Sequence, residues 1–178
     1  MHIINTKFKG LKIIQQKKFE DSRGTLRETF KKKLINWDNL IFDYATISKK
    51  NVLRGFHYNS KFPQAKFVTV LKGKILDYVI DLRKKSKTFG KCFSIILSEN
   101  NCKSLYIPKG FAHAYYSFSK FNLIYYRLSD YYAPKYENGI IWNDKIVKAK
   151  WPTNKPILAK RDRKWKTFEY FKNNYKGF

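Results

Sequence analysis

The chain has 178 residues, of which 43% are apolar and 18% aromatic, enough side chains to build a sizeable core and too many for a disordered basic tail. Its 38 Lys and Arg residues against 13 Asp and Glu give a net charge of +25, which is typical of nucleic-acid-binding proteins but also fits a surface simply rich in lysine. No apolar run approaches the ~18 residues of a membrane-spanning helix. We expect no secretory signal. The two cysteines form no C-x-x-C motif, which predicts a reduced, cytoplasmic protein. The length predicts a single domain over residues 1–178.

The predicted elements are mostly strands. A short basic helix is predicted over residues 30–40, and residues 65–71 and 75–82 flank the turn Lys72-Gly73-Lys74 as a β-hairpin. Further strands are predicted at 91–97, 104–107, 112–118 and 122–129, and a C-terminal helix at 164–175. Short strands at this spacing predict an all-β sandwich or barrel, with its core over about residues 40–135 and the basic segment 145–178 packed against it.

Two acidic residues interrupt the apolar face of the strand predicted at 75–82. Asp77 and Asp81 share that face with Ile75 and Val79. Carboxylates in this position indicate either a polar-lined interior, such as the lumen of a barrel, or a face open to water. The alternation alone leaves both interpretations open.

Three histidines are present, and none belongs to a metal-binding pattern such as H-x-H or H-E-x-x-H, so we expect no metal. His57 lies close to Arg54 in the segment LRGFH, and this pairing suits an anionic substrate because guanidinium binds phosphate and imidazole titrates near neutral pH. The alternative is a surface arginine beside a half-buried histidine, and His113 presents the same choice. Tyr125 and Tyr126 are adjacent on a predicted strand, so only one of them can enter an interior pocket.

Several motifs together resemble the dTDP-4-dehydrorhamnose 3,5-epimerase family over roughly residues 3–163. They are, in order, DSRG, VLRGFHYN, PQAKFVTVLKGKILDYVIDLR, SKTFG, YIPKGFAHA, LIYYRLSDYYAP and WP. The resemblance implies an all-β, cupin-type jelly-roll β-barrel with a few short peripheral helices, which works as a homodimer without metal or cofactor. It implies an isomerase of nucleotide-diphospho-4-keto sugars, with no nucleic-acid or membrane partner.

The resemblance also assigns roles to residues. The general base falls on His57, its orienting carboxylate on Asp162, and the remaining catalytic positions on Lys66 and Tyr126. Substrate-binding positions fall on Arg23, Glu28, Arg54, Asn59, His113, Tyr132 and Arg161.

These roles are chemically consistent with one another. A C4 ketone acidifies the C3 and C5 hydrogens of the sugar because the resulting carbanion delocalises as an enolate. His57 would remove the proton, Lys66 would stabilise the enolate oxygen, and Tyr126 would return a proton to the opposite face.

The chain departs from the family where the nucleotide is recognised. Leu26 replaces a phenylalanine that stacks on thymine, and Phe42 and Tyr44 replace a glutamine and an asparagine. This pattern predicts the same chemistry on another nucleotide or sugar, such as a GDP-linked 4-keto heptose for a capsule or other surface polysaccharide, or inversion at only C3 or only C5. The sequence does not choose among them.

Two other functions compete with epimerisation. A 3,4-ketoisomerase on the same scaffold is disfavoured because Asn59 stands where those relatives place a second histidine. A nucleic-acid-binding β-barrel is disfavoured because most aromatic residues lie on strands that are predicted to be buried. They are not interleaved with the basic residues of the most basic segment.

The net charge generates a first testable prediction. A positive field should steer a doubly negative nucleotide sugar towards the pocket, so raising the salt concentration is expected to lower kcat/KM. Steady-state kinetics over a salt series would measure this, and a kcat/KM that does not change with salt would refute the steering.

Overall fold

The computed structural model describes all of residues 1–178, and its regular secondary structure is almost entirely antiparallel strands. One 3₁₀ helix lies at Pro134–Tyr136 and one α-helix, α1, at Phe168–Asn174. The strands are β1 His2–Asn5, β2 Lys12–Gln15, β3 Lys18–Asp21, β4 Gly24–Arg27, β5 Phe42–Lys49, β6 Leu53–Asn59, β7 Lys66–Lys72, β8 Lys74–Asp81, β9 Cys92–Ser98, β10 Lys103–Ile107, β11 Phe111–Ser117, β12 Phe121–Leu128 and β13 Glu137–Gly139. The predicted all-β fold class is confirmed.

Two sheets make up the fold. The six-stranded sheet has the order β1-β2-β10-β7-β12-β5, the five-stranded sheet has the order β13-β6-β11-β8-β9, and β3 and β4 form a separate hairpin. A cluster of 14 buried side chains, drawn from both large sheets and from the loop between β1 and β2, fills the space between the sheets. The period of two in β12 shows how the sequence builds this core, because Ile124, Tyr126 and Leu128 all point inward and are at most 3% exposed.

The predicted hairpin of β7 and β8 is wrong. β7 pairs with β10 and β12, whereas β8 pairs with β11 and β9 in the other sheet. The turn at Gly73, where φ is +87°, is held by side chains from neighbouring segments: the Gly73 amide donates to Glu99 and the Lys74 amide donates to Asn122. A tight glycine turn therefore carries the chain from one sheet to the other, and its sequence looks the same as that of a hairpin turn.

The helix predicted over residues 30–40 is absent. Only a single turn forms, in which the Lys31 carbonyl accepts from the amides of Leu34 and Ile35. Ile35 is buried with Phe67 against the outer face of the six-stranded sheet, and Trp37 packs beside them. Burial of these side chains, rather than a helical repeat, determines the path of the segment.

The C-terminal helix is confirmed over a shorter range than predicted. Thr167 caps α1 by accepting from the Tyr170 amide, and Phe168 and Phe171 bury against the five-stranded sheet. No helix in the structure is long and apolar enough to cross a bilayer.

Candidate functional site

A cavity of about 400 Å³ lies between the two sheets, where polar side chains replace the apolar core. Nine of the eleven residues predicted for the site line it, namely Arg54, His57, Asn59, Lys66, His113, Tyr126, Tyr132, Arg161 and Asp162. The cavity also holds Glu137, Phe42 and Tyr44. Its size and mixed lining are typical of a small-molecule site.

His57 on β6 is paired with Asp162, which lies 105 residues further along the chain. His57 Nε2 is 2.8 Å from Asp162 Oδ1, and Asp162 is only 1% exposed. The same carboxylate accepts from the Trp165 indole at 3.1 Å and from the Gly55 amide at 3.4 Å. Burial by itself would raise the pKa of Asp162, but the hydrogen bonds from His57, Gly55 and Trp165 outweigh it and lower the pKa below its ordinary value.

Glu137 lies on the other side of the His57 ring, and the sequence analysis missed it. Its Oε1 is 3.7 Å from His57 Nδ1, and its Oε2 accepts from Arg161 at 2.5 Å and from the Tyr132 hydroxyl at 2.9 Å. β13 pairs with β6 and places Gly139 opposite His57, which brings Glu137 alongside the ring. A lone glutamate in a three-residue strand belongs to no motif, so no signal in the sequence identifies it.

A second histidine–carboxylate pair lies on the strand next to His57. His113 on β11 is directly opposite His57 in the ladder, and its Nε2 is 2.8 Å from Asp77 Oδ2. Asp77 is fully buried, and burial raises its pKa although His113 and Lys66 act against it. The polar-interior interpretation is therefore confirmed for Asp77. Asp81 has another role, since it accepts from Arg83, Ser86 and Thr88 in the loop after β8.

Lys66 and Tyr126 face these pairs from the six-stranded sheet. Burial lowers the pKa of the Lys66 ammonium, and the nearby carboxylates of Glu137 and Asp77 act in the opposite direction. Burial raises the pKa of Tyr126 well above its ordinary value, so its phenol stays protonated at neutral pH. As the alternation predicted, only one of the two adjacent tyrosines enters the cavity, and Tyr125 points away, where its hydroxyl donates to Asp43.

The remaining lining residues shape the rim. Arg54 is exposed and its Nε donates to Ser48, whereas the half-exposed guanidinium of Arg161 pairs with Glu137. Asn59 holds the following loop, since its side-chain oxygen accepts from the amides of Lys61 and Phe62. Two guanidinium groups at the rim suit an anionic ligand.

Arg23 and Glu28 do not line the cavity. Arg23 is in the turn between β3 and β4 and pairs with Asp21 at 2.7 Å, and Glu28 follows β4 and pairs with Lys31 at 3.2 Å. The hairpin of β3 and β4 is paired only with itself and is exposed on both faces, which keeps these side chains away from the cavity of their own chain.

No three His, Cys, Asp or Glu side chains converge closely enough to hold a metal ion. What the cavity does bring together is a histidine between two carboxylates on one wall and an ammonium and a phenol on the other. Such a set can remove a proton from one face of a bound molecule and donate one to the opposite face.

The chain is similar to proteins of known activity. The family model described as dTDP-4-dehydrorhamnose 3,5-epimerase matches residues 5–170. The dTDP-4-dehydrorhamnose 3,5-epimerase of Methanothermobacter thermautotrophicus is 35% identical over 170 residues, which cover 92% of each chain.

Two solved structures extend the comparison. An epimerase from Legionella pneumophila in complex with dTDP-4-keto-L-rhamnose has 37% identity and a TM-score of 0.90, over 94% of this chain and 93% of that one. A 3′-monoepimerase from Streptomyces bikiniensis in complex with dTDP-quinovose has 25% identity and a TM-score of 0.89, over 97% and 90%.

Replacing Asp162 with asparagine is expected to change how stability depends on pH. The folded-state pKa of this carboxyl is below the ordinary 3.8, so the carboxylate contributes stability that is present above that value and is lost as the pH falls through the lower folded-state pKa. Between about pH 5 and about pH 2 the free energy of unfolding should therefore fall more steeply in the wild type than in Asp162→Asn.

Urea unfolding at each pH would measure the two slopes. Asp130→Asn is the control, because the Asp130 carboxylate bonds only to the amide of the next residue. Equal slopes for the wild type and Asp162→Asn would contradict the interpretation.

Proposed function

The chain belongs to the dTDP-4-dehydrorhamnose 3,5-epimerase family, and we propose that it is a cytoplasmic, cofactor-independent epimerase that inverts C3, C5 or both in a nucleotide-diphospho-4-keto sugar. One observation carries the proposal: His57 on one sheet, paired with Asp162 from a loop, faces Lys66 and Tyr126 on the other sheet across a single cavity. Base and acid on opposite walls are what inversion of a carbon requires.

The first step is deprotonation next to the C4 ketone. Because Nε2 of His57 bonds to Asp162, the imidazole carries its proton there and its Nδ1 is left to accept the proton from carbon. The electron pair of the broken C–H bond moves into the enolate, and the ammonium of Lys66 offsets the charge that develops on the C4 oxygen. Glu137, 3.7 Å from Nδ1, favours the imidazolium that forms.

The second step is protonation from the other wall. The enolate carbon is planar, so a proton from the Tyr126 hydroxyl reaches the face opposite His57 and inverts the centre. His57 then releases its proton to solvent and Tyr126 regains one, which leaves the enzyme unchanged. Each inverted carbon therefore carries a hydrogen that comes from water.

Two substrate types suit this cavity. The Legionella relative binds dTDP-4-keto-L-rhamnose, which supports a substrate of the dTDP-4-keto-6-deoxyglucose type. Phe42 and Tyr44 line the cavity and Leu26 is 64% exposed, and these departures favour the second candidate, a GDP-linked 4-keto heptose. The monoepimerase relative supports inversion at one carbon as an alternative to two. Any of these products would supply a deoxysugar or heptose for a surface polysaccharide.

Exposed apolar side chains support the homodimer. Phe19 and Leu26 on the hairpin of β3 and β4 are 46% and 64% exposed, and Ile47 on edge strand β5 is 61% exposed. A second copy of the chain covering these side chains would remove them from water. Sedimentation equilibrium should then give twice the chain mass of 21.4 kDa, and a monomer at every concentration would oppose the dimer.

Variants of the base and of the acid are expected to fail in different ways. In D₂O, His57→Asn should reduce both deuterium exchange and inversion by at least about 10²-fold, because it removes the general base. Tyr126→Phe should retain exchange by His57 on one face and lose most of the inversion. Similar, mild effects of both variants would contradict the assigned roles.

NMR detection at C3 and C5, over a panel of dTDP- and GDP-linked 4-keto hexoses and heptoses, reports the substrate and the carbon in one experiment. Absence of exchange with every member of the panel would overturn the proposed function. Salt-dependent binding of the protein to nucleic acid, without exchange, would favour the non-enzymatic alternative.

A further inference from the structure

Tyr126 is enclosed by a neighbour on each flanking strand and by one residue across the cavity. Its ring stacks on Tyr44 of β5, with ring centroids 4.7 Å apart and planes 17° apart, and Val68 of β7 lies opposite it on the other side. His113 approaches edge-on from the five-stranded sheet, at a centroid distance of 6.0 Å. No protein group hydrogen-bonds to the Tyr126 hydroxyl, so packing alone holds the ring.

Tyr44 is the neighbour for which the proposed reaction gives no role. β5 is the edge strand of the six-stranded sheet, so no further strand covers Tyr126 beyond Tyr44. The two residues are direct partners in the β5–β12 ladder, where cross-strand side chains touch. The aromatic ring of Tyr44 packs face to face on Tyr126. It keeps water away from the side of Tyr126 that faces the edge of the sheet, which a small polar side chain would not do.

We propose that Tyr44 is a positioning residue, which stacks on Tyr126 and holds its hydroxyl in the orientation that delivers a proton to the sugar. This inference rests on the proposed function, since it takes Tyr126 as the proton donor. The enolate has two fates: a proton from His57 restores the original configuration, whereas a proton from Tyr126 inverts it. The ratio of inversion to exchange at one carbon therefore reports the orientation of Tyr126 separately from the activity of the base.

Exclusion of water by the stack supports the same role. Burial is the largest cause of the raised pKa of Tyr126, and the neighbouring phenols of Tyr115 and Tyr44 raise it further. Tyr115 is held by hydrogen bonds to Thr46 and Ser48, whereas Tyr44 has no such bond and contacts Tyr126 through its ring. Removing the Tyr44 ring should therefore loosen Tyr126 and open it to water.

The test compares Tyr44→Leu, which removes the ring, with Tyr44→Phe, which retains it. In D₂O at saturating substrate, Tyr44→Leu is expected to lower the ratio of inversion to exchange by about twofold to about tenfold, the range that one aromatic stack contributes. Tyr44→Phe should restore the wild-type ratio. An unchanged ratio in Tyr44→Leu, or a parallel loss of exchange and inversion, would overturn the positioning role.

A second variant covers the case in which Tyr44→Leu does not fold. Tyr44→Met, which keeps an apolar side chain of similar length but no ring, should lower the ratio of inversion to exchange in the same way. An unchanged ratio in Tyr44→Met would overturn the inference. Failure of the proposed function is distinguishable, because it would appear as no exchange in the wild type.

Discussion

The buried carboxylate of Asp162 is the interaction on which the site depends. A charge that is 1% exposed is costly unless every oxygen is bonded, and here the imidazole of His57, the indole of Trp165 and the Gly55 amide all approach it. The segment that carries Asp162 belongs to neither sheet and reaches β6 because Ile157 exchanges backbone hydrogen bonds with residues 51 and 53. The His57 imidazole therefore acquires its orientation only when the chain after β13 has folded back onto the five-stranded sheet.

Charges of opposite sign alternate along the cavity. His57 lies between Asp162 and Glu137, and the charge of Lys66 is balanced by Glu137 together with Asp77. Burial lowers the pKa of Lys66 below its ordinary value, and the carboxylates of Glu137 and Asp77 act against that shift. Glu137 thus serves both walls, which explains why so short a strand as β13 matters to the site.

The sequence predicts what depends on local periodicity and misses what depends on contacts between distant segments. The separation of Tyr125 and Tyr126 onto opposite faces of β12 follows from the period of two. The turn at Gly73 is ambiguous because a hairpin and a change of sheet need the same glycine, and only Glu99 and Asn122, distant in sequence, decide between them. The pairing of His57 with Asp162 is predicted by the family resemblance and not by spacing, since 105 residues separate the two in sequence. Glu137 has no signature at all, because its role comes from the pairing of β13 with β6.

Several of the few acidic residues in this chain of net charge +25 lie inside the protein. Four of the 13, Asp77, Asp81, Asp144 and Asp162, are buried, and each accepts hydrogen bonds that fix a histidine, a loop or the start of α1. The surface is therefore even more positive than the composition states. Within the cavity the same separation holds: carboxylates lie deep, beside the base, and the guanidinium groups of Arg54 and Arg161 lie at the exposed rim. The proposed substrate, with a neutral ring at one end and a diphosphate at the other, would therefore match that gradient with its ring inward, beside His57.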